Sequence, residues 1–303
     1  IYKEFEDVES VVIVGRDEVK TKKIARELGI EGSSEIENVL EDKSVMAVDV
    51  CLPTQLHGEY VSLALGRGKH VFCEIPLSYK LKDALEMVQE AKAVKRIFLA
   101  AQFMRSLAEI NYVTEKVKAG SLGKLLSVHA HRYQAHKVTE PIIDLMGYEF
   151  SAANYLLGVP IGVLTITSGR GDAEEFFAML NYPELSCMIE FKTIMSHEFP
   201  LSHGVRVVGT DGIIETNTVF TVSEPEIPET SVTFYPQGGK KEEVEVNGHD
   251  PYKYECRYFI DAILGKVDGE LLDARHALDT LRVALAAKRS LETNQWEEVK
   301  NGV

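Results

Sequence analysis

The first third of the chain alternates short β-branched runs with longer stretches whose apolar residues recur near every 3.6 positions. This alternation is typical of a parallel sheet whose strands are joined by crossover helices. Gly29 follows the first helical stretch, where a glycine commonly ends a helix. The predicted strands cover residues 11–14, 46–52, 70–73 and 97–101, and the predicted helices cover 20–28, 55–67 and 81–94.

From about residue 107 the pattern changes to successive strands without regular crossovers, and two long helical stretches close the chain. Such a pattern predicts a mixed, mostly antiparallel open sheet flanked by helices. We therefore predict an α/β domain over residues 1–106, joined to an α+β domain over residues 107–303. The strands predicted in the second domain cover residues 125–132, 163–167, 176–180, 186–191, 204–208 and 231–234.

A Rossmann-type sheet normally begins with a strand and a glycine-rich turn that holds a pyrophosphate on a helix N-terminus. No G-x-G-x-x-G motif precedes Val11, and residues 1–5 are typical of the end of a crossover helix. We expect the first βα unit, about 20 to 30 residues by the usual size of such a unit, to lie upstream of Ile1.

Charge and cysteine content exclude several classes of protein. The 33 Lys and Arg residues face 47 Asp and Glu residues, and the net charge of −14 opposes binding to nucleic acid or to an anionic membrane. No apolar run is long enough to span a bilayer, and the N-terminus is too charged for a secretory signal. The four cysteines form no CxxC pair, which favours reduced thiols and a cytoplasmic location.

Several segments, in the same order along the chain, resemble landmarks of one enzyme family. Glu74-Ile75-Pro76 resembles a Glu-Lys-Pro signature at a strand end, and Leu52-Pro53-Thr54 with His57 resembles a turn that opens the next helix. Residues 103–105, 207–212, 259–263 and 284–287 also match. On these segments the chain resembles the glucose-fructose oxidoreductase and inositol dehydrogenase family (Gfo/Idh/MocA). The resemblance implies an N-terminal dinucleotide-binding domain, a C-terminal domain for substrate binding and oligomerisation, and a homodimer or homotetramer.

The end of the strand at Val14 predicts which cofactor is bound. An acidic residue there accepts hydrogen bonds from the ribose of NAD, whereas an arginine accommodates the 2′-phosphate of NADP. Gly15 occupies the acidic position and Arg16 follows it, which favours NADP, with NAD as the alternative. Gly15 could instead be a turn glycine and Asp17 a helix cap. The residues expected to bind the cofactor are Gly15, Arg16, Leu52, Pro53, Thr54, His57, Glu74, Pro76 and Arg105. For His57 a structural role at the helix start is the open alternative.

The candidate catalytic pair is Asp144 and Tyr148. Their spacing of four residues places both side chains on one face of a helix, where they could address one substrate hydroxyl. The resemblance implies Asp, His and a later Asp at positions 144, 148 and 151, and this chain has Tyr148 and Ser151 at the last two. Similar sugar and dihydrodiol oxidoreductases use a tyrosine there as acid or base.

A tyrosine with an ordinary pKa of about 10 needs a nearby cation to act as a base at neutral pH. The family lysine that could supply this cation is replaced by Ile75. Arg105, His131, Arg132 and Lys137 are the candidates for its replacement.

Three neighbouring histidines could also be considered as metal ligands. His129 and His131 alternate along a strand and so share a face, and His136 follows. No cysteine or second carboxylate supports them, and hydride transfer in the family needs no metal. We expect no metal site.

The sequence therefore predicts an NAD(P)-dependent oxidoreductase that moves a hydride between nicotinamide and a sugar, polyol or related compound. The alternative is a non-catalytic sensor of a nucleotide or sugar in the same family, as suggested by the replacements at positions 75, 148 and 151. A third hypothesis is altered chemistry in the same cleft, such as a cofactor-assisted elimination.

Overall fold

A computed structural model of the chain describes residues 1–135, 140–168, 175–193, 198–220 and 228–300. After a short 3-10 helix at Tyr2–Glu4, the N-terminal half alternates strands and helices as the sequence predicts. Its strands are β1 (Val12–Val14), β2 (Glu31–Ser33), β3 (Ala47–Val50), β4 (His70–Cys73) and β5 (Phe98–Ala100). Its helices are α1 (Glu18–Leu28), α2 (Ile36–Glu41), α3 (Thr54–Gly66), α4 (Leu81–Val94) and α5 (Phe103–Ser106).

All strand pairs of this half are parallel, but they form two separate sheets. One contains β1 and β2, and the other has the order β3-β4-β5. Gly29 ends α1 with φ of 63° and ψ of 43°, the left-handed conformation predicted for it. Because the strands are parallel, the segments that follow β3, β4 and β5 meet at one edge of their sheet, where ligands bind in open α/β folds.

The second half is built on a nine-stranded sheet of order β13-β12-β11-β10-β6-β9-β8-β7-β14. Every neighbouring pair is antiparallel except β6 and β9, which are parallel. The strands are β6 (Leu125–Tyr133), β7 (Gly162–Thr167), β8 (Glu175–Asn181), β9 (Ser186–Lys192), β10 (Ser202–Gly209), β11 (Gly212–Phe220), β12 (Pro228–Pro236), β13 (Glu242–Glu243) and β14 (Glu297–Glu298). The mixed, mostly antiparallel sheet expected from the sequence is confirmed.

Five further helices lie in the described part of this half. They are α6 (Ala108–Lys118), α7 (Pro141–Asp144), α8 (Met146–Leu157), α9 (Pro251–Ile263) and α10 (Ala274–Thr293), with a 3-10 turn at Glu270–Leu272 before the last. Helices α8 and α10 pack against strands of the sheet, whereas α9 packs against α5. Phe150 of α8 and Phe191 of β9 are fully buried in the resulting core. The two halves also pack together, since the rings of Phe72 in β4 and Phe259 in α9 stack with centroids 5.4 Å apart.

Some elements differ from the prediction. Strand β11 was not among the predicted strands, and a single helix through Asp144 and Tyr148 is replaced by two, α7 and α8, separated at Leu145. The surface loop predicted at residues 223–230 lies largely outside the described residues, and residues 228–230 belong to β12. Within the described ranges, no helix is both long and apolar enough to cross a membrane.

Candidate active site

The ribose end of the site lies after β1, where Gly15 and Arg16 follow the strand. The backbone N–H of Gly15 donates to the carbonyl oxygen of Ser33 at 3.1 Å. A Cβ at Gly15 would come within 2.6 Å of Oγ1 of Thr21, so glycine lets α1 approach the strand. Asp17 caps α1, its carboxylate accepting from the N–H of Lys20 at 3.0 Å. The helix cap suggested for Asp17 is confirmed.

Arg16 has the features of a binding residue for an anion. Its side chain is exposed, and across the part of the chain that the structure describes no carboxylate pairs with its guanidinium. An arginine at this strand end suits the 2′-phosphate of NADP. The preference for NADP over NAD stays a prediction.

His57 lies beneath the segments that follow β3 and β4. Its Nε2 is 2.7 Å from the carbonyl oxygen of Leu52, and its Nδ1 is 3.0 Å from the carbonyl oxygen of Pro76. The side chain is only 1% exposed, and burial lowers its pKa. Because both ring nitrogens already contact the backbone, His57 can position Leu52 and Pro76 but has no free atom for a cofactor. The geometry supports the structural alternative for this residue.

Arg105 also lies away from the cleft surface. It is 3% exposed, and its guanidinium carbon is 4.8 Å from the centroid of the Tyr155 ring in α8. Burial lowers the pKa of Arg105 to about 10. Direct contact with a cofactor, as the sequence predicts, would require this buried side chain to leave its place between α5 and α8.

Tyr148 is the residue at which several elements converge. Its ring packs edge-on against Phe103 of α5, with centroids 6.3 Å apart, and Phe103 in turn contacts Tyr252 of α9 at 5.2 Å. Tyr252 is 57% exposed and so offers an aromatic surface at the mouth of the cleft. Glu74, which follows β4, acts electrostatically on both hydroxyl groups.

Arg132 of β6 lies over the face of Tyr148. The guanidinium carbon is 4.5 Å from the ring centroid, while Nε donates to Oε1 of Glu149 at 2.9 Å. Arg132 is 5% exposed and Glu149 is 1% exposed, so this ion pair is buried. Burial raises the pKa of Tyr148 to about 12, although the charge of Arg132 opposes the rise. The phenol is therefore protonated at neutral pH and can donate a proton.

Arg132 is the candidate cation that the fold brings to Tyr148. His131, its neighbour in β6, points to the opposite face of the sheet, where its ring stacks on Tyr133 with centroids 4.9 Å apart. Arg105 contacts Tyr155 instead, and Lys137 lies outside the described residues. Of the candidates within the described ranges, only Arg132 lies over the ring of Tyr148.

Asp144 lies at the end of α7 and faces a different part of the cleft. Leu145 separates α7 from α8, so Asp144 and Tyr148 lie on two successive helices. The hydroxyl of Tyr79 interacts with the Asp144 carboxylate, and each group shifts the pKa of the other. Burial raises the pKa of Asp144, and the hydrogen bond from Tyr79 opposes the rise.

Asp144 borders a pocket at the edge of the β3-β4-β5 sheet. The pocket has a cavity volume of about 20 Å³, room for one water or one small polar group, and Ile75, Gln102 and Ser151 also line it. Ile75 and Ser151 occupy the positions of the family lysine and later aspartate, so the fold brings together three of the positions singled out in the sequence. Tyr148 is not among the lining residues.

Sequence reasoning missed Gln102, Tyr79, Glu149 and Tyr252. Gln102 follows β5 directly, and the rule that ligands bind at the carboxyl ends of parallel strands could have identified it. The other three reach the site only through tertiary contacts.

His129 and His131 do share a face of the sheet, as predicted, with ring centroids 5.9 Å apart. His129 lies 3.4 Å from Glu190, and His136 lies outside the described residues. No cluster of three or more His, Cys, Asp or Glu side chains with the geometry of a metal site occurs in the described ranges. The absence of a metal stays a prediction.

Known proteins share this architecture. Residues 1–102 match the family model GFO_IDH_MocA, described as an oxidoreductase family with an NAD-binding Rossmann fold, and residues 114–299 match its C-terminal alpha/beta domain. The crystal structure of aldose-aldose oxidoreductase from Caulobacter crescentus superimposes with a TM-score of 0.80 at 19% identity, covering 98% of this chain and 93% of that one.

Two curated relatives differ in how much of the chain they match. D-xylose 1-dehydrogenase (NADP(+)) 2 of Haloferax volcanii is 26% identical, over 96% of this chain and 92% of the relative. The 2,7-anhydro-N-acetylneuraminate hydratase of Escherichia coli is 35% identical, over only 36% of this chain and 29% of the relative. Because the two family models together match nearly the whole sequence, the chain belongs to the Gfo/Idh/MocA family of oxidoreductases.

Proposed function

We propose that this protein is an NADP-dependent oxidoreductase that interconverts a carbonyl and a hydroxyl group on a sugar or polyol. The observation that carries the proposal is the protonated phenol of Tyr148, held against the buried Arg132–Glu149 pair beside the strand ends. A bound nicotinamide cofactor would supply or accept the hydride. Arg16 supports the choice of NADP, and the NADP-dependent xylose dehydrogenase that matches most of the chain agrees with it.

Tyr148 donates the proton in the reductive direction. Its hydroxyl hydrogen passes to the carbonyl oxygen of the substrate, which becomes the new hydroxyl group as its carbon receives the hydride. Arg132 lowers the cost of the phenolate that is left behind. In the oxidative direction the same phenolate takes the proton back, so the two directions need opposite protonation states of one residue.

Residues on either side of Tyr148 shape the cleft. Phe103 and Tyr252 form an aromatic wall, against which the apolar face of a sugar ring can pack. Asp144 positions the substrate through the hydroxyl groups of the sugar, and Leu52, Pro53, Thr54, Glu74 and Pro76, which follow β3 and β4, are the residues proposed to contact the cofactor. His57 supports these segments through its contacts to the carbonyl oxygens of Leu52 and Pro76.

Tyr148→Phe tests the proposal. The variant should lose at least 100-fold in NADPH oxidation, the scale of lost general acid catalysis, with a panel of aldoses and ketoses that begins with D-xylose. NADPH affinity, measured by fluorescence titration, should stay within about twofold of the original value, since the phenol is proposed to act on the substrate. Tyr235→Phe, a change to a partly exposed tyrosine of β12, is the matched control. Unchanged turnover in Tyr148→Phe would refute the role of the phenol.

A second candidate is a cofactor-assisted elimination or hydration. It is favoured by the match to the hydratase, which covers 109 aligned residues. Net NADPH oxidation distinguishes the two reactions, because a hydration regenerates its cofactor in each cycle. The relatives named above are enzymes, which gives the non-catalytic alternative no support. The homo-oligomer, the cytoplasmic location and the exclusion of nucleic acid and membrane stay predictions.

A further inference from the structure

The pocket beside Asp144 contains three buried polar atoms without a hydrogen-bond partner. They are Oε1 of Gln102, Oδ1 of Asp144 and Oγ of Ser151, and all three residues line the same cavity. Gln102 is 1% exposed and Ser151 is 2% exposed. Buried polar atoms are nearly always hydrogen-bonded in folded proteins, so these three atoms need partners from whatever occupies the cavity, which is an ordered water or a polar group of a bound ligand.

These unpaired atoms are mainly hydrogen-bond acceptors. Nε2 of Gln102 donates to the carbonyl oxygen of Asp273 at 3.2 Å, which leaves the amide oxygen for the pocket. Oδ1 of Asp144 is a carboxylate oxygen and is therefore an acceptor as well. Only Ser151 can donate or accept. Such a pocket is complementary to a ligand group that donates hydrogen bonds.

The charge of the pocket lining also favours a ligand group that donates hydrogen bonds. Ile75 occupies the position of the family lysine, and none of the described residues that line the pocket carries a positive charge. The neighbouring Lys288 pairs with Glu140, their charged atoms 2.7 Å apart. Asp144 therefore faces the cavity without a cation in its lining. A carboxylate in this cavity would meet a like charge and acceptor oxygens, whereas an ammonium group would meet the opposite charge.

We propose that this pocket selects sugars that place an amino or a neutral hydroxyl group beside Asp144, Gln102 and Ser151, and that it rejects sugars with a carboxylate there. The replacement of the lysine by Ile75 is then a change of specificity. This inference deepens the proposed function and rests on it for the substrate class.

The experiment measures binding to the full chain by calorimetry, with glucosamine, glucose and glucuronate as probes. Glucosamine should bind at least tenfold more tightly than glucuronate, with glucose between them. Ile75→Lys places a cation in the lining and should shift the ratio toward glucuronate by at least tenfold, whereas Ile75→Met, similar in size and uncharged, should leave the ratio within about twofold. Asp144→Asn, nearly isosteric, should abolish most of the preference for glucosamine over glucuronate. It tests the inference independently if Ile75→Lys does not fold.

Equal binding of glucosamine and glucuronate, an unchanged ratio in both Ile75→Lys and Asp144→Asn, or no binding of any probe would each overturn the inference. The readout separates this inference from the proposed function. Selective binding without NADPH oxidation would refute the oxidoreductase alone. NADPH oxidation that depends on Tyr148 but proceeds equally well with carboxylate sugars would refute the selectivity alone.

Discussion

The guanidinium carbon of Arg132 lies 4.5 Å from the centroid of the Tyr148 ring. Among the described residues, no other cation lies over this ring. A cation over an aromatic face is stabilised by the ring quadrupole, and it also favours the phenolate electrostatically. Arg132 is in turn fixed by Glu149, which accepts from its Nε at 2.9 Å. The protonation of Tyr148 is thus linked to a buried ion pair.

Removal of one partner of this pair should destabilise the fold strongly. Glu149→Leu leaves the charge of Arg132 buried without compensation, and we expect a loss of about 3–5 kcal/mol in the free energy of unfolding. The double variant Arg132→Met with Glu149→Leu should be more stable than Glu149→Leu alone, because no unpaired charge remains. Urea denaturation of the four proteins of this cycle measures both quantities. A double variant no more stable than Glu149→Leu would contradict the assignment.

The rates of the two reaction directions should depend differently on pH. Burial raises the pKa of Tyr148 from 10.0 to about 12, so the folded protein carries the phenol below that pH and the phenolate only above it. Carbonyl reduction, which needs the phenol, should be independent of this group from pH 7 to 10. Alcohol oxidation, which needs the phenolate, should rise about tenfold per pH unit over the same interval. Initial rates in both directions test this.

Arg132→Met supplies the control for the pH profile. Without the guanidinium the pKa of Tyr148 should rise further, so oxidation at pH 9 should fall more than reduction does. Equal losses in both directions would show that Arg132 acts only by holding the structure.

Arg16 should decide the preference between the two dinucleotides. Arg16→Ala removes the exposed guanidinium after β1, and we expect NADPH to bind about tenfold more weakly while NADH binding is unchanged. Arg26→Ala changes another exposed arginine, at the other end of α1, and should affect neither ligand. Fluorescence titration with both dinucleotides makes the comparison. A parallel loss of NADH affinity would argue against recognition of the 2′-phosphate.

His57 should contribute to stability rather than to chemistry. His57→Ala removes two contacts to backbone carbonyl oxygens and leaves a buried cavity, which should lower the free energy of unfolding by about 2–4 kcal/mol. NADPH affinity measured well below the unfolding temperature should change by less than about threefold. A large loss of affinity in a fully folded variant would restore the direct contact that the sequence predicted.

Much of the fold follows from periodicity in the sequence. Strands β3, β4 and β5 and helices α1, α3 and α4 lie where apolar spacing predicts them, within a few residues. Strand β11 was not predicted because its inward-facing positions include the polar residues Thr216 and Thr218. Their hydroxyls bond the N–H of Val205 at 3.0 Å and the carboxylate of Glu109 at 2.8 Å. Threonine is buried there because of partners distant in sequence, which no hydrophobic pattern reveals.

The sequence by itself determined the family, the order of the strands along the chain and the replacement of a lysine by Ile75, because these depend on residue type and spacing. The tertiary structure decided which side chains meet. It placed Asp144 and Tyr148 on two helices that meet at Leu145, and it placed Arg132 over Tyr148. It also left Gln102, Asp144 and Ser151 facing one cavity. These contacts join strand ends and helices far apart in the chain, and their distances are fixed only when the two halves pack together.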